Sequence, residues 1–140
     1  MDTSVLPIII LLPLILGTTL VALLQRFSRE ATALGAIAVS LTCFGLLLTE
    51  AKQIFAGAAI LQSWDWLPQL GLNLSFRLDA LGLLFSLLIT GIGTLIYIYA
   101  YYYLSPRNSL AKLYMLLMVF MTAMLGISLS NNLILLLVFW

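Results

Sequence analysis

The chain of 140 residues is far more apolar than a soluble domain, with 64% hydrophobic and only 8% charged residues. Because soluble domains are typically about half apolar and a quarter charged, this composition indicates a protein whose solvent is the lipid bilayer. The formal net charge of +1 provides no basic surface for nucleic acid. Since the sequence has no histidine and one cysteine, Cys43, we predict no disulfide, no metal site, no cofactor and no catalytic residues.

Long uncharged stretches reach the roughly 20 residues that a helix needs to cross a bilayer. We predict an all-α fold, a polytopic membrane helix bundle with four transmembrane helices and the first part of a fifth. Residues 1–140 are expected to form a single membrane domain. The predicted helices cover residues 3–25, 31–49, 80–104, 110–128 and 130–140. The first lacks the basic residues that open a signal peptide, so we expect a retained helix, with a kink at Pro13.

Basic residues in the short loops predict the orientation of the helices. Arg26 and Arg29 follow the first helix, and Arg107 and Lys112 follow the third. Because cytoplasmic loops are enriched in Arg and Lys, we expect both loops on the cytoplasmic side of the cell (inner or plasma) membrane. The N-terminus of this multi-pass protein is then outside. The tyrosine-rich residues 97–103 are typical of an aromatic belt at the cytoplasmic surface.

The loop at residues 50–78 has the pattern of a small β-hairpin lying on the outer membrane surface. Trp64 and Trp66 share one face at strand spacing, and residues 68–71 contain turn-forming Pro and Gly. The following strand alternates apolar and polar residues, with Leu70, Leu72, Leu74, Phe76 and Leu78 as its apolar positions. The alternative is an irregular interfacial loop held at the membrane by its tryptophans.

Small residues recur every four positions in two of the predicted helices. They are Gly82, Ser86 and Thr90 in the third helix, and Thr122, Gly126 and Ser130 in the fourth. Stripes of this kind allow helix backbones to approach closely within a membrane, so we expect them to mark packing faces. The alternative is a hydroxyl-lined ion path, which would need charged partners.

The candidate polar site is the pair Arg77 and Asp79 at the start of the third helix. Asp79 is expected to cap that helix and to form an ion pair with Arg77, and the alternative is a place in an ion entry path at the outer surface. Carboxylates and lysines inside the membrane usually mark proton or cation relays. The sequence indicates no charged residue that is embedded in the membrane. A glycine-rich "TGIG" inside an apolar helix does not predict phosphate binding.

Three stretches of the second half resemble one family of membrane proteins. They are "WLPQLGLNLSFRLDALGLLF", "LITGIGTLIYIYAYYYL" and "KLYMLLMVFMTAMLGISLSNNLILLLVFW". They resemble the N-terminal part of the antiporter-like subunits of Mrp-type multisubunit Na+/H+ antiporters and of proton-pumping complex I. The amino-acid sequence of the third helix and the motif "FMTAMLG" resemble the large A subunit of Mrp antiporters in particular.

This resemblance implies a transporter subunit rather than an enzyme, exchanging cytoplasmic Na+ for external H+ within a multisubunit complex. The expected partners are the other subunits, the lipid bilayer, and Na+ and H+ as transported ions. By the family pattern, Asp79 opens the third helix and Asn132 lies at the outer end of the fifth, so both are ion-path candidates. The family has a glutamate directly after "FW" and lysines on later helices, and this sequence contains neither.

We therefore expect an N-terminal fragment of a larger subunit, inactive by itself. Two other functions remain open. One is a membrane-arm subunit of complex I or of a related hydrogenase, in which redox chemistry drives proton pumping. The other is a small structural or assembly protein of the membrane.

Overall fold

A computed structural model describes residues 5–140 of the chain. Four segments of this part are long and apolar enough to cross a membrane, namely Leu6–Leu24, Arg29–Phe55, Ala80–Tyr103 and Leu110–Leu129. The elements are α1 (Val5–Leu12), a π-helical segment (Pro13–Gly17), α2 (Thr18–Leu24), α3 (Arg29–Phe55), β1 (Ile60–Leu67), β2 (Leu72–Leu78), α4 (Ala80–Tyr103), α5 (Leu110–Leu129) and α6 (Leu133–Phe139). The predicted helical membrane fold with a small hairpin is confirmed. The predicted start of the first helix, at residue 3, lies outside the described residues.

The first membrane span changes its helical geometry at Pro13, where a kink is predicted. Proline has no N–H to donate to the preceding turn, and the α-helix gives way there to the π-helical segment Pro13–Gly17. Hydroxyl groups bind carbonyls of this segment: Thr18 Oγ1 donates to the Leu14 carbonyl, and Thr19 Oγ1 donates to the Ile15 carbonyl at 2.6 Å. These hydroxyls brace the turn that follows the proline, whereas the Ile9 carbonyl, one turn before Pro13, accepts from the Cys43 thiol at 3.7 Å.

The predicted range of the second helix, residues 31–49, is shorter at both ends than the helix in the structure, α3. Helix α3 begins at Arg29, where Ser28 caps it by accepting a hydrogen bond from the Ala31 N–H at 3.0 Å. It continues to Phe55 because Ala51 and Ile54 are buried and extend the packed face beyond the first charged residues. At about 1.5 Å per residue, its 27 residues are longer than the roughly 30 Å hydrocarbon core.

The core of the bundle lies between α3, α4, α5 and the first membrane span. The small residues predicted to mark packing faces are buried on α4 (Gly82, Ser86 and Thr90) and on α5 (Thr122 and Gly126). Ser130 follows α5 and is only partly buried. Both stripes therefore lie mainly on buried faces of their helices, as a packing role requires.

The aromatic-belt prediction is wrong for Tyr97. Its side chain is only 1% exposed and packs edge-on against Tyr114 of α5, with ring centroids 5.2 Å apart. The cause is helical periodicity, which puts Tyr97 on the same buried face of α4 as Thr90 and Thr94. Exposed tyrosines that fit an interfacial position are Tyr99, Tyr102 and Tyr103.

The hairpin pairs β1 with β2 in antiparallel register, from Ile60 opposite Leu78 to Leu67 opposite Leu72. A short 3₁₀ turn, Pro68–Leu70, joins the strands, and Gly71 follows with φ of 65°, a conformation that glycine adopts without steric cost. Leu70 lies in this turn and is 72% exposed. The prediction that it belongs to the alternating strand is therefore wrong.

Contacts at several points tie the hairpin to the helix bundle. The Leu6 N–H in the first turn of α1 donates to Gln62 Oε1 at 3.2 Å. On the other strand, the Asn131 N–H donates to the Ser75 carbonyl at 2.9 Å, and Phe76 pairs with Ser130 in an isolated β-bridge. The hairpin thus connects the first membrane span to the segment between α5 and α6.

Arg29 holds the opposite end of the bundle together. Its guanidinium donates hydrogen bonds to the carbonyls of Tyr101 at 3.3 Å, of Ser105 at 3.2 Å, and of Leu104. These carbonyls lie at the C-terminus of α4, where helix carbonyls lack partners and carry partial negative charge. From the sequence alone, Arg29 is only an indicator of membrane orientation. In the structure it also caps the C-terminus of α4, more than 70 positions away along the chain.

We expect Arg29→Ala to lower the free energy of unfolding by about 2 kcal/mol, since it removes charge-assisted hydrogen bonds to several carbonyls. Arg29→Lys should recover only part of this loss, because an ammonium group lacks the planar fork of donors. Denaturant unfolding in detergent micelles measures both. Arg26→Ala, at an exposed neighbouring position, is the control, and an equal loss there would contradict the assignment.

Candidate functional site

The predicted site residues lie at the end of the bundle that carries the hairpin. Asp79 is the residue between β2 and α4 and acts as the N-cap of α4, where its Oδ1 accepts a hydrogen bond from the Gly82 N–H at 2.8 Å. Its Oδ2 lies 3.6 Å from Arg77 Nε. The Asp79 side chain is 41% exposed and the Arg77 side chain is 50% exposed. The Asp79 carboxylate therefore caps the helix and is also accessible from outside the protein.

Asn132 is the N-cap of α6 and contacts the start of β2, whereas Asp79 follows the end of that strand. Its Oδ1 accepts a hydrogen bond from the Ile134 N–H at 3.1 Å, and its Nδ2 donates to the Asn73 carbonyl at 3.5 Å. Within residues 5–140 no hydrogen bond joins Asn132 to Asp79. The structure therefore puts both candidates at one end of the bundle without direct contact.

Gly82 allows the capped end of α4 to approach the last turn of α5. A Cβ atom at Gly82 would lie 3.2 Å from Asp79 Oδ1 and 3.5 Å from the Ser128 carbonyl oxygen. A side chain at this position would therefore press on the capping carboxylate, whereas its contact with the Ser128 carbonyl would be an ordinary van der Waals one. Gly82, the first residue of the predicted stripe, thus leaves room for the Asp79 carboxylate beside the end of α5.

A second polar feature is a line of buried hydroxyl groups in the middle of the bundle. We call it the hydroxyl seam, and it comprises Ser40 of α3 with Ser86, Thr90 and Thr94 of α4. Ser40 Oγ lies 2.7 Å from Thr94 Oγ1 and donates to the Thr90 carbonyl at 3.1 Å. The sequence interpretation missed Ser40, because a single serine in α3 forms no stripe.

The hydroxyl seam lacks the charged partners that an ion path would need. In the part of the chain that the structure describes, every charged side chain is at least partly exposed, and the buried hydroxyl groups belong to uncharged serines, threonines and the tyrosines Tyr97 and Tyr114. The same part holds no cluster of three or more potential metal ligands. Cys43, which is also buried, donates its thiol to the Ile9 carbonyl at 3.7 Å.

Comparison with known proteins connects this fold to ion-transporting complexes. Residues 66–114 match the family described as NADH-ubiquinone oxidoreductase (complex I), chain 5 N-terminus. Over 98% of its length the chain is 40% identical to the A1 subunit of the Na(+)/H(+) antiporter of Staphylococcus aureus. The chain is therefore similar, over nearly its whole length, to part of an antiporter-like membrane subunit. This confirms the resemblance, indicated by the motifs, to the large Mrp antiporter subunit and its complex I relatives.

Solved structures of relatives contain the same arrangement of helices. This antiporter-like chain aligns over 94% of its length, at 26% identity and a TM-score of 0.69, with a chain of the Mrp complex from Dietzia sp. DQ12-45-1b. It also aligns over 97% of its length with a chain of the archaeal membrane-bound sulfane sulfur reductase, at 21% identity and a TM-score of 0.79, which shows the fold alone.

The chain matches only part of each of these larger proteins. It spans 17% of the length of the Staphylococcus aureus protein, 14% of the Dietzia chain and 21% of the archaeal chain. Together with its four apolar helices, the relationship identifies a multi-pass membrane protein related to subunits of multisubunit complexes.

Proposed function

We propose that this chain is part of a subunit of a monovalent cation/proton antiporter that exchanges cytoplasmic Na+ for external H+ across the cell membrane. The observation that carries the proposal is the 40% identity to an Na(+)/H(+) antiporter subunit over nearly the whole chain. The other subunits of the complex are its proposed partners. The lipid bilayer surrounds it, and Na+ and H+ are the transported ions.

In this proposal the 140 residues do not exchange ions on their own. Within residues 5–140, charged side chains occur only in loops, in the hairpin or within about two turns of a helix end. Relays for protons and cations usually need ionisable groups inside the membrane. Asp79 and Asn132 are proposed to line the outer entrance of a path whose central groups other parts of a larger subunit supply.

A chimera tests this function. The chain replaces the matching 137 residues of the Staphylococcus aureus protein, and the chimera is expressed with the remaining subunits in a strain that lacks Na+/H+ antiporters. We expect it to restore growth at high Na+, whereas the 140 residues alone should not. A chimera that reaches the membrane at the parental level without restoring growth would contradict the proposed function, and growth with the chain alone would contradict its inactivity.

A second candidate is a membrane-arm subunit of complex I or of a related redox-driven complex. The family match at residues 66–114 favours it, because that family is described from complex I. Neighbouring genes distinguish the two functions. Genes for small Mrp-type subunits support antiport, and genes for redox-carrying subunits support the second candidate.

The proposed orientation, with the N-terminus and hairpin outside, leads to a labelling prediction. In a Cys43→Ala background, Ser63→Cys on β1 should react with a membrane-impermeant maleimide in intact cells. Asn108→Cys, in the loop between α4 and α5, should react only after the membrane is permeabilised. Both positions are exposed, so accessibility within the protein is matched. The opposite labelling pattern would show that the orientation is reversed.

The proposed role of Asp79 in the ion path can be separated from its role as a helix cap. Asp79→Ala should destabilise the protein by about 1 kcal/mol through loss of the cap. Asp79→Asn keeps an oxygen that can accept from the Gly82 N–H, so it should retain stability but lower the Na+/H+ exchange rate of the chimera. Asp65→Asn, an exposed aspartate on β1, is the control. Full exchange by the Asp79→Asn chimera would remove Asp79 from the path.

A further inference from the structure

The end of the bundle opposite the hairpin carries an excess of positive charge. Two segments of the chain, residues 25–32 and 104–112, meet there, because Arg29 donates to the Ser105 carbonyl at 3.2 Å. Together they contain four basic residues and one acidic residue, namely Arg26, Arg29, Arg107, Lys112 and Glu30. Each Lys or Arg close to an anionic membrane surface strengthens binding about fivefold, so this end of the protein is suited to anionic lipids.

An open, polar pocket of about 210 Å³ lies between the two segments. Its lining has no acidic side chain and includes Gln25, Arg29, Asn108, Ser109, Leu110 and Ala111. Glu30 lines a different groove, together with Tyr101 and Tyr102. The exposed basic residues Arg26, Arg107 and Lys112 each come next in the sequence to a residue of the lining. The pocket is therefore flanked by positive charge and contains no carboxylate to oppose an anion.

The lining of the pocket provides more hydrogen-bond donors than the protein itself uses. The bonds of Arg29 to carbonyls come from Nη1 and Nη2, and its Nε–H donates to no residue of the described chain. Ser109 Oγ accepts from the Lys112 N–H at 3.3 Å, which leaves its own proton as a donor. The amides of Leu110 and Ala111, in the first turn of α5, have no acceptor among residues 5–140, although the two residues are only 4% and 5% exposed.

We propose that this pocket binds the phosphate group of an anionic phospholipid, with Arg29 and the first turn of α5 as donors and Lys112 as a flanking charge. Phosphate oxygens accept hydrogen bonds from a guanidinium and from the amides of a helix N-terminus. The lipid is the source of the phosphate because Tyr102, at the same end, is 81% exposed, and exposed tyrosines are typical of the headgroup level of a membrane. The binding does not depend on the proposed antiport.

Titration of the 140-residue chain with lipids in detergent, followed by native mass spectrometry, tests this inference. The probes are phosphatidylglycerol, which is anionic, and zwitterionic phosphatidylcholine with the same acyl chains. We expect phosphatidylglycerol to bind several-fold more tightly. Equal affinities for the two lipids would overturn the proposal. Inorganic phosphate is added as a competitor, and displacement of phosphatidylglycerol at equimolar phosphate would show that free phosphate, rather than a lipid, is the ligand.

A pair of substitutions with the same change in charge tests whether the pocket is the binding site. Asn108→Glu adds a carboxylate to the lining, and Ser63→Glu adds one at an exposed position of the hairpin. We expect Asn108→Glu to weaken the binding of phosphatidylglycerol at least about fivefold and Ser63→Glu to leave it near the parental value. Equal weakening by both would indicate a general effect of charge and would overturn the assignment of the site.

Thermal unfolding provides an independent test that removes charge instead of adding it. A ligand that binds only the folded state raises the unfolding temperature. Phosphatidylglycerol should therefore raise the unfolding temperature of the parental chain and of Lys52→Gln more than that of Lys112→Gln. Both lysines are exposed, and Lys52 lies in the last turn of α3 at the opposite end of the bundle. The same rise for both variants would overturn the proposal.

Discussion

Replacing Phe76 by alanine is expected to lower the free energy of unfolding by about 3 to 5 kcal/mol and to detach the hairpin from the bundle. Phe76 is 6% exposed, and its ring lies between Trp64 and Phe139, with centroid distances of 6.5 and 6.3 Å. A two-stranded hairpin is marginally stable by itself in water. Its order therefore depends on this aromatic contact and on the backbone pairing with Ser130.

Denaturant unfolding in detergent micelles measures the loss of stability, and limited proteolysis at the turn Pro68–Leu70 reports release of the hairpin. Leu70→Ala, at an exposed position of that turn, is the control and should change stability by less than about 0.5 kcal/mol. If Phe76→Ala and Leu70→Ala had the same stability and the same rate of cleavage, the hairpin would not depend on Phe76.

The membrane spans and the hairpin are predictable because the signals for both are local. Span length follows from uncharged runs, and the strand pairing follows from alternation around a Pro–Gly turn. The end of α3 and the location of Tyr97 are not local properties. Ala51 and Ile54 extend α3 only because other elements bury them, and Tyr97 is in the core because its face of α4 meets α5.

The polar interactions also divide into local ones, which the sequence predicts, and long-range ones, which it does not. The capping role of Asp79 is predictable from its position just before an apolar helix, and its hydrogen bond to Gly82 has the expected form. The pairing of Ser40 with Thr94 and the capping of α4 by Arg29 join residues more than 50 positions apart. They depend on which faces of α3 and α4 pack together. A single sequence does not reveal this packing.

Tyr114→Ala is expected to cost about 2 to 4 kcal/mol of stability, mainly through the cavity that it leaves. The side chain is fully buried, and its ring packs edge-on against Tyr97. Because lipid is as apolar as the bundle interior, the transfer contribution is smaller here than in a soluble core. Tyr114→Phe keeps the ring and loses only the hydrogen bond to the Tyr97 carbonyl, which should cost about 1 kcal/mol.

Comparison of these two variants separates packing from hydrogen bonding at the contact between α4 and α5. Unfolding in detergent micelles measures both, and Leu116→Ala, at an exposed position of α5, is the control for a general loss of helix stability. We expect the order of loss to be Tyr114→Ala, then Tyr114→Phe, then Leu116→Ala. Equal losses for the alanine and phenylalanine variants would show that the hydroxyl, rather than the ring, holds α5 to α4, because only the hydroxyl is absent from both.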